Sequence, residues 1–201
     1  LEHRRQRQMC IRDRTNIKLN VVYSSKGLAQ RLASEGKNTP ADLILTVDIG
    51  RLYIYKDKDL LAKINSKILN DNIPSHLRSK DGTWFGLSKR SRVIGIAKNE
   101  FSKGEVSTYE DLANPKFKGK VCSRPGSHVY NRALMASMIA NNGYDKALVW
   151  AKGLINNLAK RPQGNDRAQI KSIFSGECKI IIINHYYYCL LYTSPSPRDA
   201  T

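Results

Sequence analysis

Short apolar runs alternate with longer amphipathic stretches along this chain. Residues 18–23, 41–47, 92–97 and 179–183 are rich in β-branched and other apolar side chains, and they predict four strands. Residues 41–47 are almost continuously apolar, a pattern typical of a strand that is buried on both faces. Strands that alternate with helical stretches of about ten to fifteen residues indicate an α/β protein with a mainly parallel sheet.

Helix signals fill the intervals between these runs. Ser107 and Glu110 have the spacing of a capping box, and Pro115 closes the short helix that they begin. Asp166 and Gln169 form a second cap-like pair, before a helix that Gly176 ends. The other helices that the pattern predicts cover residues 27–36, 131–140 and 144–158.

The two ends of the chain differ in character from the rest. Residues 4–14 read RRQRQMCIRDR and residues 189–199 read CLLYTSPSPRD. Each stretch is a codon-for-codon translation of one frame of a transposase-type sequencing adapter. We therefore interpret residues 1–14 and 189–201 as adapter-derived artefacts, and we expect residues 15–188 to be an internal fragment of a longer gene.

The chain is strongly basic, with a formal net charge of +17. Six Arg and three acidic residues fall in the two interpreted tails, so residues 15–188 still carry +14. Such a charge bears on partners and solubility rather than on fold. The charge makes a basic nucleic-acid-binding domain an alternative. The basic residues are scattered, however, and match no RNA-recognition, zinc-finger or basic-zipper pattern, so we expect no nucleic-acid partner.

Cys122 and Cys178 are the two cysteines between the tails. Their spacing does not fit a zinc site, and it allows either one disulfide in an oxidising compartment or two unrelated buried thiols. No stretch approaches the roughly 18 apolar residues that a membrane span needs. No P-loop, nucleophile elbow or zinc-protease motif occurs, so we expect a protein that is not an enzyme.

Several stretches together resemble the periplasmic ferric-ion-binding proteins, the substrate-binding components of bacterial iron(III) ABC importers. Tyr130 and the triple tyrosine at 186–188, at the family's spacing, are the specific part of the resemblance. The matching stretches are SEGKNTPADLILTVDIGRL (34–52), DGTWFGLSKRSRVIGIAKN (81–99), STYEDLANPKFKGKVC (107–122), SHVYNRALMASMIANNG (127–143), RPQGNDRAQIKSIFSGEC (161–178) and NHYYY (184–188).

The resemblance implies a type II periplasmic-binding fold with two lobes, here truncated at both ends. Residues 15–91 would form part of lobe 1, residues 92–183 lobe 2, and residues 184–188 a hinge and metal-site segment. A first strand with a further Tyr or His ligand would lie upstream, and the completion of lobe 1 downstream. The family binds its ion in the cleft between the lobes.

Tyr130, Tyr186 and Tyr187 are the metal ligands that the resemblance implies. Iron(III) is a small, hard cation, and phenolate supplies the anionic oxygen that such a cation prefers. Neighbouring side chains on a regular strand point to opposite faces, so Tyr186 and Tyr187 reach one ion only if the strand ends and the backbone turns at Asn184 and His185. Spacing from Tyr130 in the family favours Tyr186 and Tyr187 as the ligands, with Tyr188 packing behind them. The alternative for three adjacent tyrosines is an aromatic strand end that packs against a helix.

Family members often bind iron together with carbonate or another small anion. Ser127, at the start of the helix that follows, offers a hydroxyl and backbone N–H groups for such an anion. Arg90 and Arg92 are both candidates for the arginine that helps to hold it, and we expect Arg90 to do so. His185 is expected to be a neighbour of the site.

The sequence therefore predicts a monomeric periplasmic protein that binds Fe³⁺ with a synergistic anion and delivers it to the permease of an ABC transporter. In that compartment Cys122 and Cys178 would form a disulfide within lobe 2. One alternative is a binding protein of the same fold for another solute, such as an anion or a polyamine. A nucleic-acid-binding domain is the second alternative.

Overall fold

The computed structural model describes residues 2–24 and 27–188, with side chains from residue 9 onward. The interpreted tail at 189–201 lies outside these residues. The chain divides into two compact units: Leu1–Leu45 with Ile54–Leu60, and Thr46–Tyr53 with Leu61–Thr201. The lobe boundaries inferred from the family resemblance remain a prediction.

The first unit is helical where it is regular. Helix α1 covers Glu2–Thr15 and helix α2 covers Leu28–Glu35, which a short 3₁₀ turn, Gly36–Asn38, follows. Gly36 ends α2 with φ 53°, a backbone conformation that glycine adopts without steric cost. The predicted helix over 27–36 is thus confirmed.

The two N-terminal strand predictions, 18–23 and 41–47, are wrong. Both segments are irregular, and Leu43 and Leu45 are 77% and 75% exposed. A strand needs a neighbour to satisfy its backbone N–H and C=O groups. Among the residues that the structure describes, neither segment has a paired strand, and an apolar pattern alone does not create one.

The second unit contains the sheet and most of the helices. The 3₁₀ turns are Ser75–Leu77, Glu110–Ala113 and Pro115–Phe117. The strands are β1 (Arg92–Ile96), β2 (Val121–Cys122) and β3 (Ile180–Asn184), and the helices are α4 (Lys67–Asn72), α5 (Val129–Asn142), α6 (Tyr144–Asn156) and α7 (Asp166–Phe174). Helix α3 (Ile49–Asp57) begins in this unit and continues into residues of the first. Over the described ranges, no helix is both long and apolar enough to cross a bilayer.

The sheet has three strands in the order β1-β3-β2. Strands β1 and β3 are antiparallel, with Arg92 opposite Asn184, whereas β2 and β3 are parallel, with Val121 opposite Ile180. The predicted strands at 92–97 and 179–183 are confirmed. The prediction of a mainly parallel sheet is wrong for the described residues, because only one of the two pairings is parallel.

Strand β3 is the centre of the core and is buried along its whole length. Its side chains alternate between two faces, as those of an extended strand must. Ile180 and Ile182 pack in the cluster that includes residues of α5 and α6, while Ile181 and Ile183 pack with Ile170 of α7. Helices on both faces explain the uninterrupted isoleucine run.

Local hydrogen bonds set where the helices begin and end, and the sequence patterns predicted only some of these positions. Gly143, with φ 84°, separates α5 from α6. The predicted capping box is replaced by Asp111, whose carboxylate accepts hydrogen bonds from the backbone of Ser107 and Thr108. Asn165, not Asp166, caps α7 by accepting from the N–H of Ala168 at 3.1 Å.

Candidate functional site

The triple tyrosine begins where the central strand stops. Strand β3 ends at Asn184, and residues 185–188 are helical. The predicted change of backbone direction is therefore confirmed. It brings the rings of Tyr186 and Tyr187 to the same side, with centroids 4.5 Å apart. His185 is held by Ser91, whose N–H donates to its Nδ1 at 3.1 Å.

Tyr188 does not pack behind the other two tyrosines. Its side chain is 60% exposed, whereas Tyr187 packs against a buried cluster that contains Cys122 and Cys178. The expectation for Tyr188 is wrong because the backbone is helical here, and each residue turns its side chain about 100° from the one before it.

Tyr130 lies in the first turn of α5. His128 caps this helix, and its Nδ1 accepts the N–H of Tyr130 at 3.2 Å. Burial, followed by the charges of Arg124 and other arginines, lowers the pKa of His128. The neutral ring that results can serve as an acceptor. This role of His128 was not predicted from the sequence, although the residue lies directly before the helix.

Tyr186 is the tyrosine that interacts with both of the others. Its ring lies 4.5 Å from that of Tyr187, its oxygen accepts a hydrogen bond from the side-chain N–H of Asn184 at 3.2 Å, and Tyr130 and Tyr187 each perturb its pKa. The structure therefore brings together the three tyrosines that the sequence singled out, from segments more than fifty residues apart. Hydrogen bonds to a phenol oxygen favour its anionic form.

The three tyrosines differ electrostatically. Burial raises the pKa of Tyr186, but its interactions with Asn184, Tyr130 and Tyr187 outweigh burial and lower the pKa below its usual value. Burial and the interaction with Tyr186 raise the pKa of Tyr130. The same two causes raise the pKa of Tyr187 to about 12. Tyr186 is thus the first of the three to become a phenolate.

Three guanidinium groups surround the ring of Tyr130. The central carbons of Arg90, Arg124 and Arg92 lie 4.2, 5.0 and 5.5 Å from its centroid. Cations over an aromatic face are attracted to it, and they also favour a phenolate over a neutral phenol. Arg124 was missed from the sequence, where its place six residues before Tyr130 gives no sign of this contact.

Arg90, the predicted anion-binding residue, already has a carboxylate partner. Its guanidinium is 2.8 Å from Asp48, whose other oxygen accepts the N–H of Gly50 at the start of α3. Asp48 has φ 77°, a left-handed conformation that is costly for a residue with a side chain. Such local strain is found at sites that the surrounding structure holds in place.

Arg92, the alternative to Arg90, has a side chain that is 10% exposed and lies beside the ring of Tyr130. Its guanidinium binds Asp166 at 3.1 Å, and Arg124 binds the other oxygen of the same carboxylate at 3.0 Å. Burial lowers the pKa of Arg92, while the charge of Asp166 acts in the opposite direction. Asp166 was interpreted from the sequence as a helix cap, and this assignment is wrong.

A pocket of about 220 Å³ opens beside Tyr130. The residues that line the pocket come from α5, β1 and the ends of neighbouring segments: Asp48, Arg90, Arg92, Tyr109, Tyr130, Ala133, Leu134, Ser137 and Asn184.

Ser127, the other predicted anion-binding residue, is exposed in the turn before α5.

Cys122 and Cys178 form a disulfide, with their Cα atoms 5.9 Å apart. The bond joins β2 to the segment before β3 and is buried beside Tyr187. Within the described part of the chain, no group of three or more His, Cys, Asp or Glu side chains converges as a metal site.

The sequence model of the bacterial extracellular solute-binding proteins matches residues 38–191. Among curated proteins, iron uptake protein A1 of Synechocystis is 45% identical over 186 residues, which are 92% of this chain and 52% of that protein. The major ferric iron-binding protein of Neisseria meningitidis is 28% identical over 179 residues, 86% of this chain and 51% of that protein. The chain thus spans about half the length of these relatives.

Solved structures are similar over almost the whole chain. The Trichodesmium protein IdiA (FutA), in complex with iron and citrate, is 44% identical with a TM-score of 0.90, covering 97% of this chain and 62% of that one. The ferric binding protein from Campylobacter jejuni is 40% identical with a TM-score of 0.87, covering 98% of this chain and 63% of that one. The predicted fold class, an α/β chain of the type II periplasmic-binding kind, is confirmed.

Proposed function

This chain belongs to the bacterial extracellular solute-binding proteins, and from that premise we propose that it binds ferric iron and delivers it to an ABC import permease. The observation that carries the proposal is the convergence of three tyrosines: the rings of Tyr186 and Tyr187 lie 4.5 Å apart, and Tyr130 and Tyr186 perturb each other's pKa. Tyrosines placed together in this way can contribute their oxygens to one cation.

The chemistry of the three oxygens suits iron(III). A small, highly charged cation selects anionic oxygen over softer donors. A bound cation also removes the protons of its own ligands, so a raised pKa at Tyr130 and Tyr187 does not prevent binding. Arg90 and Arg124 add positive charge beside Tyr130 and favour its anionic form. The names and bound iron of the similar proteins support the same cargo.

A small anion such as carbonate would accompany the iron. In this proposal Arg90 and Ser127 bind the anion, and Arg90 must then exchange its contact with Asp48 for one with the anion. The exchange is between two negatively charged partners, so the guanidinium is never left without one.

The remaining parts of the proposal concern location and partners. A buried disulfide between Cys122 and Cys178 is suited to an oxidising compartment, which supports a periplasmic location. The partner is the inner-membrane permease of an ABC transporter, and the protein acts as a monomer. It binds and releases its cargo without catalysing a reaction, and no nucleic acid is part of this function.

Iron titration of single-residue variants tests the proposal. The product of the complete gene is titrated with ferric nitrilotriacetate, and the visible charge-transfer absorption of iron bound to phenolate is recorded. Tyr186→Phe and Tyr187→Phe each remove one anionic oxygen, so each should weaken binding by at least about 100-fold, the upper end of what losing an outer-shell partner costs. Tyr188→Phe is the matched control, because that ring is 60% exposed, and it should bind as the wild type does.

Unchanged iron binding in both Tyr186→Phe and Tyr187→Phe would refute this function. Binding of an anion or a polyamine in place of iron would instead support a protein of the same fold for another solute. A DNA or RNA affinity that falls steeply with salt would support the nucleic-acid alternative.

A further inference from the structure

The phenol oxygens come from two segments that are distant in sequence. Tyr130 is at the start of α5, and Tyr186 and Tyr187 follow β3. The disulfide Cys122–Cys178 joins these segments eight residues before Tyr130 and eight residues before Tyr186, so it does not by itself set the distance between the phenol oxygens. Metal ligands must be held to within a fraction of an ångström, and residues behind them commonly do this. The question is which side chain touches both segments.

Asp166, on neither segment, has a carboxylate that contacts both. It is fully buried, at 0% exposure. One oxygen accepts from Arg124 at 3.0 Å. The other accepts from Arg92 at 3.1 Å and from the backbone N–H of Asn184 at 2.9 Å.

The first set of contacts leads to Tyr186. Asp166 holds the backbone of Asn184 at the last position of β3. The side chain of Asn184 in turn accepts from Arg92 at 3.0 Å and donates to the oxygen of Tyr186 at 3.2 Å. Asn184 is therefore fixed at both its backbone and its side chain before it reaches the phenol.

The second set leads to Tyr130. Arg92 and Arg124, both bound to Asp166, lie over the Tyr130 ring. Arg92 also donates to the side chain of Asn131 at 3.0 Å, and Asn131 donates to the carbonyl of Arg124 at 2.8 Å. The residue next to Tyr130 is thus tied to both arginines.

An ion-pair cluster with only a structural role would be an energetically unfavourable choice for this part of the core. Two arginines and one aspartate bury an excess positive charge, and the Nε atoms of Arg92 and Arg124 have no hydrogen-bond partner among the described residues. Well-packed apolar residues often replace buried ion pairs without loss of stability. The arrangement is explained if its geometry serves the tyrosines above it.

We propose that Asp166 is a positioning residue that sets the spacing between Tyr130 and Tyr186 for the metal ion. The inference rests on the proposed function, because it assigns Asp166 a role only if these tyrosines bind iron. Asp166 does not touch the metal. It acts through Asn184 towards one phenol and through the two arginines towards the other.

Asp166→Asn keeps the size of the side chain and removes its charge. In the product of the complete gene, titrated with ferric nitrilotriacetate, we expect the affinity to fall by at least about tenfold, as for other outer-shell partners of metal ligands. The charge-transfer band should also shift, because the phenolates no longer hold the same geometry. Asp145→Asn is the matched control: it removes an exposed carboxylate from the first turn of α6 and should change neither quantity.

A second variant separates positioning from folding. Arg124→Gln combined with Asp166→Asn keeps the net charge of the buried cluster at its wild-type value, and chemical denaturation measures the stability of each variant separately from its iron affinity. If Asp166 positions the ligands, the double variant binds iron more weakly than Arg124→Gln alone and has a different band. Equal affinity and an equal band in these two variants would overturn the inference.

The same experiment distinguishes the two proposals. A wild-type protein without a phenolate charge-transfer band contradicts the proposed function itself. A wild-type protein with the band, together with an Asp166→Asn variant of unchanged affinity and unchanged band, contradicts only the role of Asp166.

Discussion

Two apolar stretches of the chain adopt different structures in this molecule. Residues 180–184 form a strand that is buried on both faces, while residues 41–47 are irregular and expose most of their apolar side chains. Both stretches predict a buried strand. The difference lies in their neighbours, because β3 pairs with β1 on one side and β2 on the other.

An apolar run therefore forms a buried strand only when its backbone groups and both of its faces have partners. Around β3, helices α5 and α6 cover one face and α7 covers the other. Side-chain burial then adds to backbone hydrogen bonding, and the two effects are cooperative. Residues 41–47 have the side-chain pattern but, within the described ranges, no paired strand beside them.

Truncation of one side chain in each stretch tests this difference and has the largest expected effect. Ile182 is 1% exposed, so Ile182→Ala should lower the free energy of unfolding by about 2–5 kcal/mol through lost burial and the cavity left behind. Leu45 is 75% exposed, so Leu45→Ala should change it by no more than about 0.5 kcal/mol. Chemical denaturation of both variants measures the two values.

Comparable losses in the two variants would contradict the comparison. They would mean that Leu45 is buried in the folded protein in solution. Hydrogen exchange supplies an independent check, since the amides of residues 180–184 should exchange far more slowly than those of residues 41–47.

The disulfide Cys122–Cys178 cross-links the region of the sheet and not residues 41–47, and its contribution to stability can be measured. Cys122 and Cys178 are 56 residues apart in sequence, and closing a loop of that size stabilises the folded state by about 2–4 kcal/mol, mainly by restricting the unfolded chain. A reductant should therefore lower the free energy of unfolding of the wild type by this amount. Chemical denaturation with and without the reductant measures it.

The variant Cys122→Ala with Cys178→Ala is the control, and the reductant should leave its stability unchanged. Alkylation followed by mass measurement of the oxidised protein provides a direct test. Two alkylated thiols at these positions in protein prepared from an oxidising compartment would show that the bond does not form.

The sequence was sufficient to predict α2, α5, α6, β1 and β3, because their signals are local, whereas α3, α4 and β2 were not predicted. The isoleucine run of β3 and the glycine after α5 each act within a few residues. The three tyrosines were also identified, through the unusual repeat at 186–188 and the family resemblance. The approach of Tyr187 to Tyr186 depended on the change of backbone direction after Asn184, which was predicted from the need for both side chains to face one way, whereas the approach of Tyr130 depended on the packing of α5 against the sheet.

The buried charges behind the tyrosines were not predictable in this way. Asp166 pairs with Arg92 and Arg124 across 74 and 42 residues of sequence, and no local pattern reports such a contact. Its position three residues before Gln169 instead suggested a helix cap. The contact of Asp48 with Arg90 was hidden for the same reason, because 42 residues separate the two.

Protonation of His128, the cap of α5 beside Tyr130, should have the smallest effect on the free energy of unfolding. Its Nδ1 accepts the N–H of Tyr130, and a protonated ring cannot accept. Burial lowers the pKa of His128 in the folded state, so the unfolded chain takes up the proton first, near its usual value of about 6.5. The cap contribution is therefore complete above that pH and is lost as the pH falls through the lower folded value.

The variant His128→Asn isolates this contribution, because asparagine is among the best N-caps and does not titrate in this range. Above about pH 7 the two proteins should have similar free energies of unfolding, whereas at pH 5 the wild type should be less stable by about 1 kcal/mol, the usual value of a cap. Because the two proteins differ only at residue 128, pH effects from the rest of the chain cancel in the difference. A difference that does not change with pH would show that the ring does not act as the acceptor, and the start of α5 would then be held by its packing against the sheet alone.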